Sequence, residues 1–174
     1  VNSIRIITSR SRYVSDSYKE RFKSNISVEF EDGSFCNFLG RIRHHGDEKD
    51  HISLTGNTII QSIDVHLDDG NIRGITKFKL LRPNTRGKLE DEIFLTELLR
   101  NLSFLAPRTM KVDVRVNEAN SVMIFQEKSR KELLERNKRR EGPIFQGDDS
   151  TIKSSNKSIN NFKNLNDLSE DVWL

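Results

Sequence analysis

The sequence predicts an α+β domain, an antiparallel sheet of about five to seven strands with one main helix packed on it. Three observations carry this. Short apolar–polar alternations recur between turn signals, two pairs of them read as hairpins, and one leucine-rich stretch has helical spacing. At 174 residues the chain is long enough for one domain with a real core. Apolar residues are 34% and charged residues 32%, which is polar for a globular domain. Phenylalanines and aliphatics nevertheless fall in periodic blocks, so a core is expected.

The elements follow in order. "SIRIITS" (3–9) reads as a short strand and "SRSRYVSDSYKERFKSN" (9–25) as a basic loop with at most a short helix. In "ISVEFEDGSFCNFLGRIR" (26–43), Ile26, Val28 and Phe30 alternate, "EDGS" turns, and a strand resumes from Phe35 to Ile42. "HHGDEKDHISLTGN" (44–57) reads as a loop. "TIIQSIDVHLDDGNIRG" (58–74) reads as a strand, with Ile60, Ser62 or Ile63, Val65 and Leu67 alternating before a turn at "DDGN". "ITKFKLLRP" (75–83) is the next strand and stops at Pro83.

The helix is expected over 87–104, where Leu95, Leu98, Leu99 and Leu102 share a face. Its opening carboxylates, Glu90, Asp91 and Glu92, suit the positive end of a helix. "MKVDVRVNEANSVMIFQEK" (110–128) is a second hairpin turning at "NEAN", and "SRKELLERNKRR" (129–140) a short charged helix. "EGPIFQGDD" (141–149) holds a breaker and room for a last short strand. From Ser150 the chain turns rich in serine, asparagine and lysine, a polar tail expected to hang loosely. The domain is thus set at 1–149 and the tail at 150–174.

Net charge is +3, too small by itself to argue for nucleic acid or a membrane surface. No run approaches the length of a membrane span. The single cysteine, Cys36, excludes an internal disulfide and a thiolate cage, and is expected to pack as a small apolar residue in a strand. The charge is uneven, with sixteen basic and ten acidic residues between 76 and 145.

That basic block opens with "TKFKLLRPNTRGKLEDEIF" (76–94). On a strand, Lys77 and Lys79 share one face, and Phe78 and Leu80 the other. On the helix, Glu92 lies roughly 70° from the centre of the leucine face and Glu97 roughly 150°. Glu92 is therefore placed to reach a strand lysine, while Glu97 points to water. A strand lysine held by a helix glutamate can grip a nucleotide phosphate; lysines on a solvated strand face give the same pattern.

Two other clusters stand out in the sequence. His44, His45, Asp47, Asp50 and His51 lie close in sequence, but adjacent histidines on a strand point to opposite faces, so no metal site is assigned. "RNKRRE" (136–141) is basic but lacks the interleaved aromatics of a nucleic-acid surface, and nucleic acid is not the expected partner. No P-loop, Rossmann fingerprint or G-x-S-x-G elbow occurs.

The order of features resembles the CotH kinase-like family, named for spore-coat protein H. "RIRHHG" resembles its R-x-R-G element, and "KFKLLRP" its following basic strand. "DEIFLTELLRNLSFLAPRT" is similar to its leucine-rich helix, with Ser103-Phe104 where glycine is usual. "VDVRVNEANSVMIFQEKSRKELLE" resembles its hairpin and next helix, and "GPIFQGDD" its return strand. The match spans about residues 38–149.

The resemblance implies the N-terminal lobe of an atypical protein kinase, with ATP and Mg²⁺ as cofactors and a protein as acceptor. It implies Gly46 near phosphates, Lys79 as the phosphate lysine with Lys77 its rival, Glu92 as ion-pair partner, and Gln126, Glu127 and Lys128 at the hinge beside adenine. The loop "HHGDEKDH" stands where that family has small residues. Catalytic residues would belong to a second lobe, so the chain is expected to bind nucleotide without catalysing alone. The alternative expectation is a non-catalytic structural or surface-assembly module.

Overall fold

The strands close into a barrel instead of covering one face of an open sheet. The computed structural model describes residues 1–8, 20–46, 51–55, 58–83, 85 and 89–144. The strands are β1 (Ser3–Thr8), β2 (Phe22–Glu29), β3 (Phe35–His44), β4 (Ile52–Thr55), β5 (Thr58–Gln61), β6 (Ile63–Leu67), β7 (Lys77–Leu81), β8 (Thr109–Val116) and β9 (Ala119–Glu127). The helices are α1 (Leu89–Asn101) and α2 (Lys131–Arg136). Seven strands close in the order β1-β2-β3-β6-β7-β9-β8, while β4 and β5 form a separate two-stranded hairpin. The chain divides into two compact units, Val1–Lys128 and Ser129–Leu174.

This corrects the expected fold class. The structure is a closed mixed barrel with two short helices, not a kinase-N-lobe-like α+β sheet with one main helix packed on it. The reason is β1. It pairs antiparallel with β2, Ile6 opposite Ile26, and parallel with β8, Ile4 beside Val114. One strand thereby caps both edges that an open sheet would leave unpaired. Parallel partners lie far apart in sequence, so alternation along either strand cannot announce their pairing.

Closure puts the core inside the barrel. Ile4, Ile6, Ile26, Val28, Ile42, Val65, Phe78, Leu80, Val114 and Phe125 are all buried there. Alternation does the sorting, since each strand sends every second side chain inward. Phe78 and Phe125 stack with ring centroids 4.6 Å apart and planes at 26°. Gly40 is required by close approach: a Cβ there would lie 2.7 Å from the His66 carbonyl oxygen and from Ile26 Cδ1. Its absence lets β3 curl tightly between β2 and β6.

Several boundaries move. Strand β2 starts at Phe22, inside the expected loop, because Phe22 faces Ile42 and Ser24 faces Gly40 across β3. Residues 52–55, also expected as loop, pair with 58–61. The expected strand over 58–74 breaks at Ser62, whose amide donates to the His51 carbonyl. Cys36 lies in β3, opposite Val28, but is exposed and not packed as an apolar residue. The second hairpin turns through Asn117 at φ 51°. The short helix narrows to Lys131–Arg136, with Leu133 and Leu134 buried, and no strand forms over 141–144. The expected tail, 150–174, lies outside the described residues.

Helix α1 lies against β8, but most of its leucine stripe faces away from the core. Leu95, Leu98 and Leu102 are exposed, as is Phe94 at 69%, whereas Thr96 is buried. The buried side is turned roughly a quarter turn from the leucine stripe. Thr96 closes its hydroxyl onto the Glu92 carbonyl within the helix, so burying it leaves no donor unmet. No helix among the described residues is long and apolar enough to cross a membrane.

The rotation predicts opposite outcomes on the two kinds of side chain. Phe78→Ala or Phe125→Ala should lose about 3–5 kcal/mol in urea unfolding. Leu95→Ala or Leu98→Ala should stay within about 0.5 kcal/mol. A large loss for the helix leucines would mean that their face is covered.

Candidate functional site

The outward face of the barrel collects charge in rows. Where Val65 and Phe78 point in, Asp64 and Lys79 point out. The ladder registers place Arg43 beside Asp64, Asp64 beside Lys79, Lys79 beside Gln126, and Gln126 beside Thr109. A second row sets Arg41 beside His66 and His66 beside Lys77. The Lys128 amide donates to the Lys77 carbonyl, which carries the strand pairing one residue past β9. Arg21, one residue before β2, adds a further cation.

Asp64 is the centre of this face. Its side chain is only 2% exposed, and its Oδ2 accepts from Lys128 Nζ at 2.7 Å, Arg43 Nε at 3.1 Å and Arg21 Nη2 at 3.4 Å. Burial alone would raise its pKa. The Lys128 ammonium, by charge and hydrogen bond, together with Arg21 and Arg43, outweighs burial and holds the carboxyl below its ordinary value. The cations fare differently. Burial lowers the pKa values of Arg21 and Lys128, and Asp64 offsets this only in part. Three cations share one carboxylate, so the anion is over-compensated and each cation under-compensated.

Glu92 reaches this face from α1. Its Oε1 accepts from Gln126 Nε2 at 2.6 Å, and Gln126 is the ladder neighbour of Lys79. Gln126 thus stands between the strand lysine and the helix glutamate. Lys77, Lys79, Gln126 and Lys128 share the outer face, and Glu92 joins through Gln126. Glu127 does not: it points inward opposite Phe78, is 3% exposed, and its Oε2 accepts from the Arg108 amide. Gly46 sits beyond β3 at φ 96°, where a Cβ would collide with the His51 ring. A side chain there would have no room beside that ring.

The histidines beside it are held neutral. Burial lowers His44 to about 4. Burial, with Lys79 adding its charge, lowers His45 to about 3. His45 packs edge-on to His51 at 5.5 Å, and His51 Nδ1 lies 3.1 Å from Ser62 Oγ. Asp47 and Asp50 of the same sequence cluster lie outside the described residues. No group of three or more histidine, cysteine, aspartate or glutamate side chains among the described residues could hold a metal ion.

Reading the sequence by itself missed Arg21, Arg43 and Asp64. The signal was the phase of "RIR" and "IDVH", which put Arg41 and Arg43 on one face and Asp64 and His66 on one face. Only the register shows that these faces adjoin Lys77 and Lys79. No family model matches the chain, and no curated protein matches it.

Two outcomes follow. Asp64→Asn should cost about 3 kcal/mol in urea unfolding, because three half-buried cations lose their counter-charge. Acid should destabilise the fold early. Unfolded histidines take up protons near 6.5, while folded His44 and His45 resist until about 4 and about 3. Their contribution is therefore complete above that unfolded value and drains as pH falls toward the folded ones. Asp64, held below its ordinary 3.8, adds its loss only in stronger acid. The melting temperature should fall between about pH 7 and about pH 5, and His45→Gln should flatten that slope. A level wild-type profile would contradict this.

Proposed function

We propose that the chain is a nucleotide-binding unit whose outer barrel face receives the phosphates of a nucleoside triphosphate. The resemblance to the CotH kinase-like family makes ATP the nucleotide and phosphoryl transfer to a protein the reaction it would serve. One observation carries the reading: Lys79 stands between Asp64 and Gln126 on the ladder, and Gln126 is hydrogen-bonded to Glu92. Lys77 and Lys128 extend the cationic face on which anionic oxygens would lie.

The unit binds and does not complete a catalytic centre. The carboxylates of this face are engaged: Asp64 with its cations, Glu92 with Gln126, and Asp68 with Arg41 at 2.7 Å. Each of these carboxylates is therefore committed to a partner and not poised as a general base. The described residues fit triphosphate oxygens but not Mg²⁺, since the face is cationic and offers no ligand cluster.

A second reading, a non-catalytic structural or surface-assembly module, is favoured by the exposed apolar side of α1, where Phe94, Leu95, Leu98 and Leu102 face outward. Thermal unfolding separates the two. ATP should raise the melting temperature, by the equivalent of about 2.7 kcal/mol at a hundredfold excess over its dissociation constant. Lys79→Ala should abolish the rise. No shift with either Mg²⁺ or Mn²⁺ present would remove the nucleotide reading and leave the assembly module.

A further inference from the structure

The three cations around Asp64 all address one of its two oxygens. Lys128, Arg43 and Arg21 reach Oδ2. Oδ1 is buried and has no hydrogen-bond partner among the described residues, and the same holds for Nη1 of Arg21. The two unmet atoms belong to side chains joined by one contact, Arg21 Nη2 to Asp64 Oδ2 at 3.4 Å. Buried polar atoms in folded proteins are almost always satisfied, so an unmet acceptor and an unmet donor on two side chains in contact restrict what would complete them.

The chemistry is restrictive. A ligand must donate a proton to Asp64 Oδ1 and accept one from Arg21 Nη1. It must also carry negative charge, because three cations outnumber one carboxylate. A metal ion fails on charge. Sulfate accepts but has no proton to donate, and would set its lone pairs against Oδ1. A phosphate that keeps one proton meets every demand: its P–OH donates to Oδ1, and its anionic oxygens accept from the guanidinium.

We infer that Arg21, Arg43, Asp64 and Lys128 form a subsite for a tetrahedral oxyanion that still bears a proton, a hydrogen phosphate or a protonated phosphomonoester. Arg43 and Lys128 hold the carboxylate in place and supply the surplus charge. Asp64 reads the proton. The subsite shares Lys128 with the nucleotide reading but needs neither Lys79, Gln126 nor Glu92.

Calorimetric titration of the purified chain with inorganic phosphate, and separately with sulfate at matched ionic strength, tests this near pH 6, where phosphate carries a proton. Phosphate should bind at least about tenfold more tightly than sulfate, the scale of one charge-assisted hydrogen bond. Arg21→Gln should weaken phosphate. Asp64→Asn should erase the discrimination, because an amide can donate to sulfate. Should that variant fail to fold, the wild-type ratio and Arg21→Gln decide. Equal affinity for the two anions, or no binding of either, would overturn the inference and leave the two atoms to water. A phosphate preference without ATP binding would sink the nucleotide reading alone. ATP binding without the preference would sink this inference alone.

Discussion

Closure of the sheet rests on one parallel pair, β1 beside β8. Without it, β1 and β8 would each present an unpaired edge, and the inward side chains of β1, β2 and β8 would lack a facing wall. With it, Ile4, Ile6, Val112 and Val114 join Phe78 and Phe125 in one enclosed core. The inside of the barrel is then mainly a packing problem, with the inward carboxylate of Glu127 met by the Arg108 amide. Most charged side chains of the same strands fall to the outside by alternation.

That division creates the charged face. Register brings Arg43, Asp64, Lys79 and Gln126 into one row, and pairing beyond β9 brings Lys128 alongside. Neighbouring like charges on adjacent strands repel, so a sheet face this rich in cations needs an acceptor within it. Asp64 is that acceptor. It is buried because three long basic side chains cover it, and it remains ionised because they do. On the proposed reading, the residual positive charge is what would draw anions to the face.

A barrel that seals its own core also frees its helix. In an open sheet, α1 would have to cover the exposed core with its leucines. Here it docks on β8 through Thr96 and its half-buried neighbours, Ile93 and Leu99, and leaves Phe94, Leu95 and Leu98 outside. Glu92 is carried by this orientation to Gln126 and so to the charged face.

Local pattern alone settled the hairpins 22–29/35–44 and 109–116/119–127 in kind, the helix 89–101, and the shared face of Lys77 and Lys79, because alternation and helical spacing are written within a few residues of each other. The same spacing assigned the wrong side of α1 to the core, since a stripe of leucines says what is apolar and not what it meets. The barrel, the role of Asp64 and the inward turn of Glu127 were decided by tertiary structure. Each depends on pairing between strands distant in the chain, above all β1 with β8. Such register is fixed by the closing of the whole sheet and leaves no mark in any single strand.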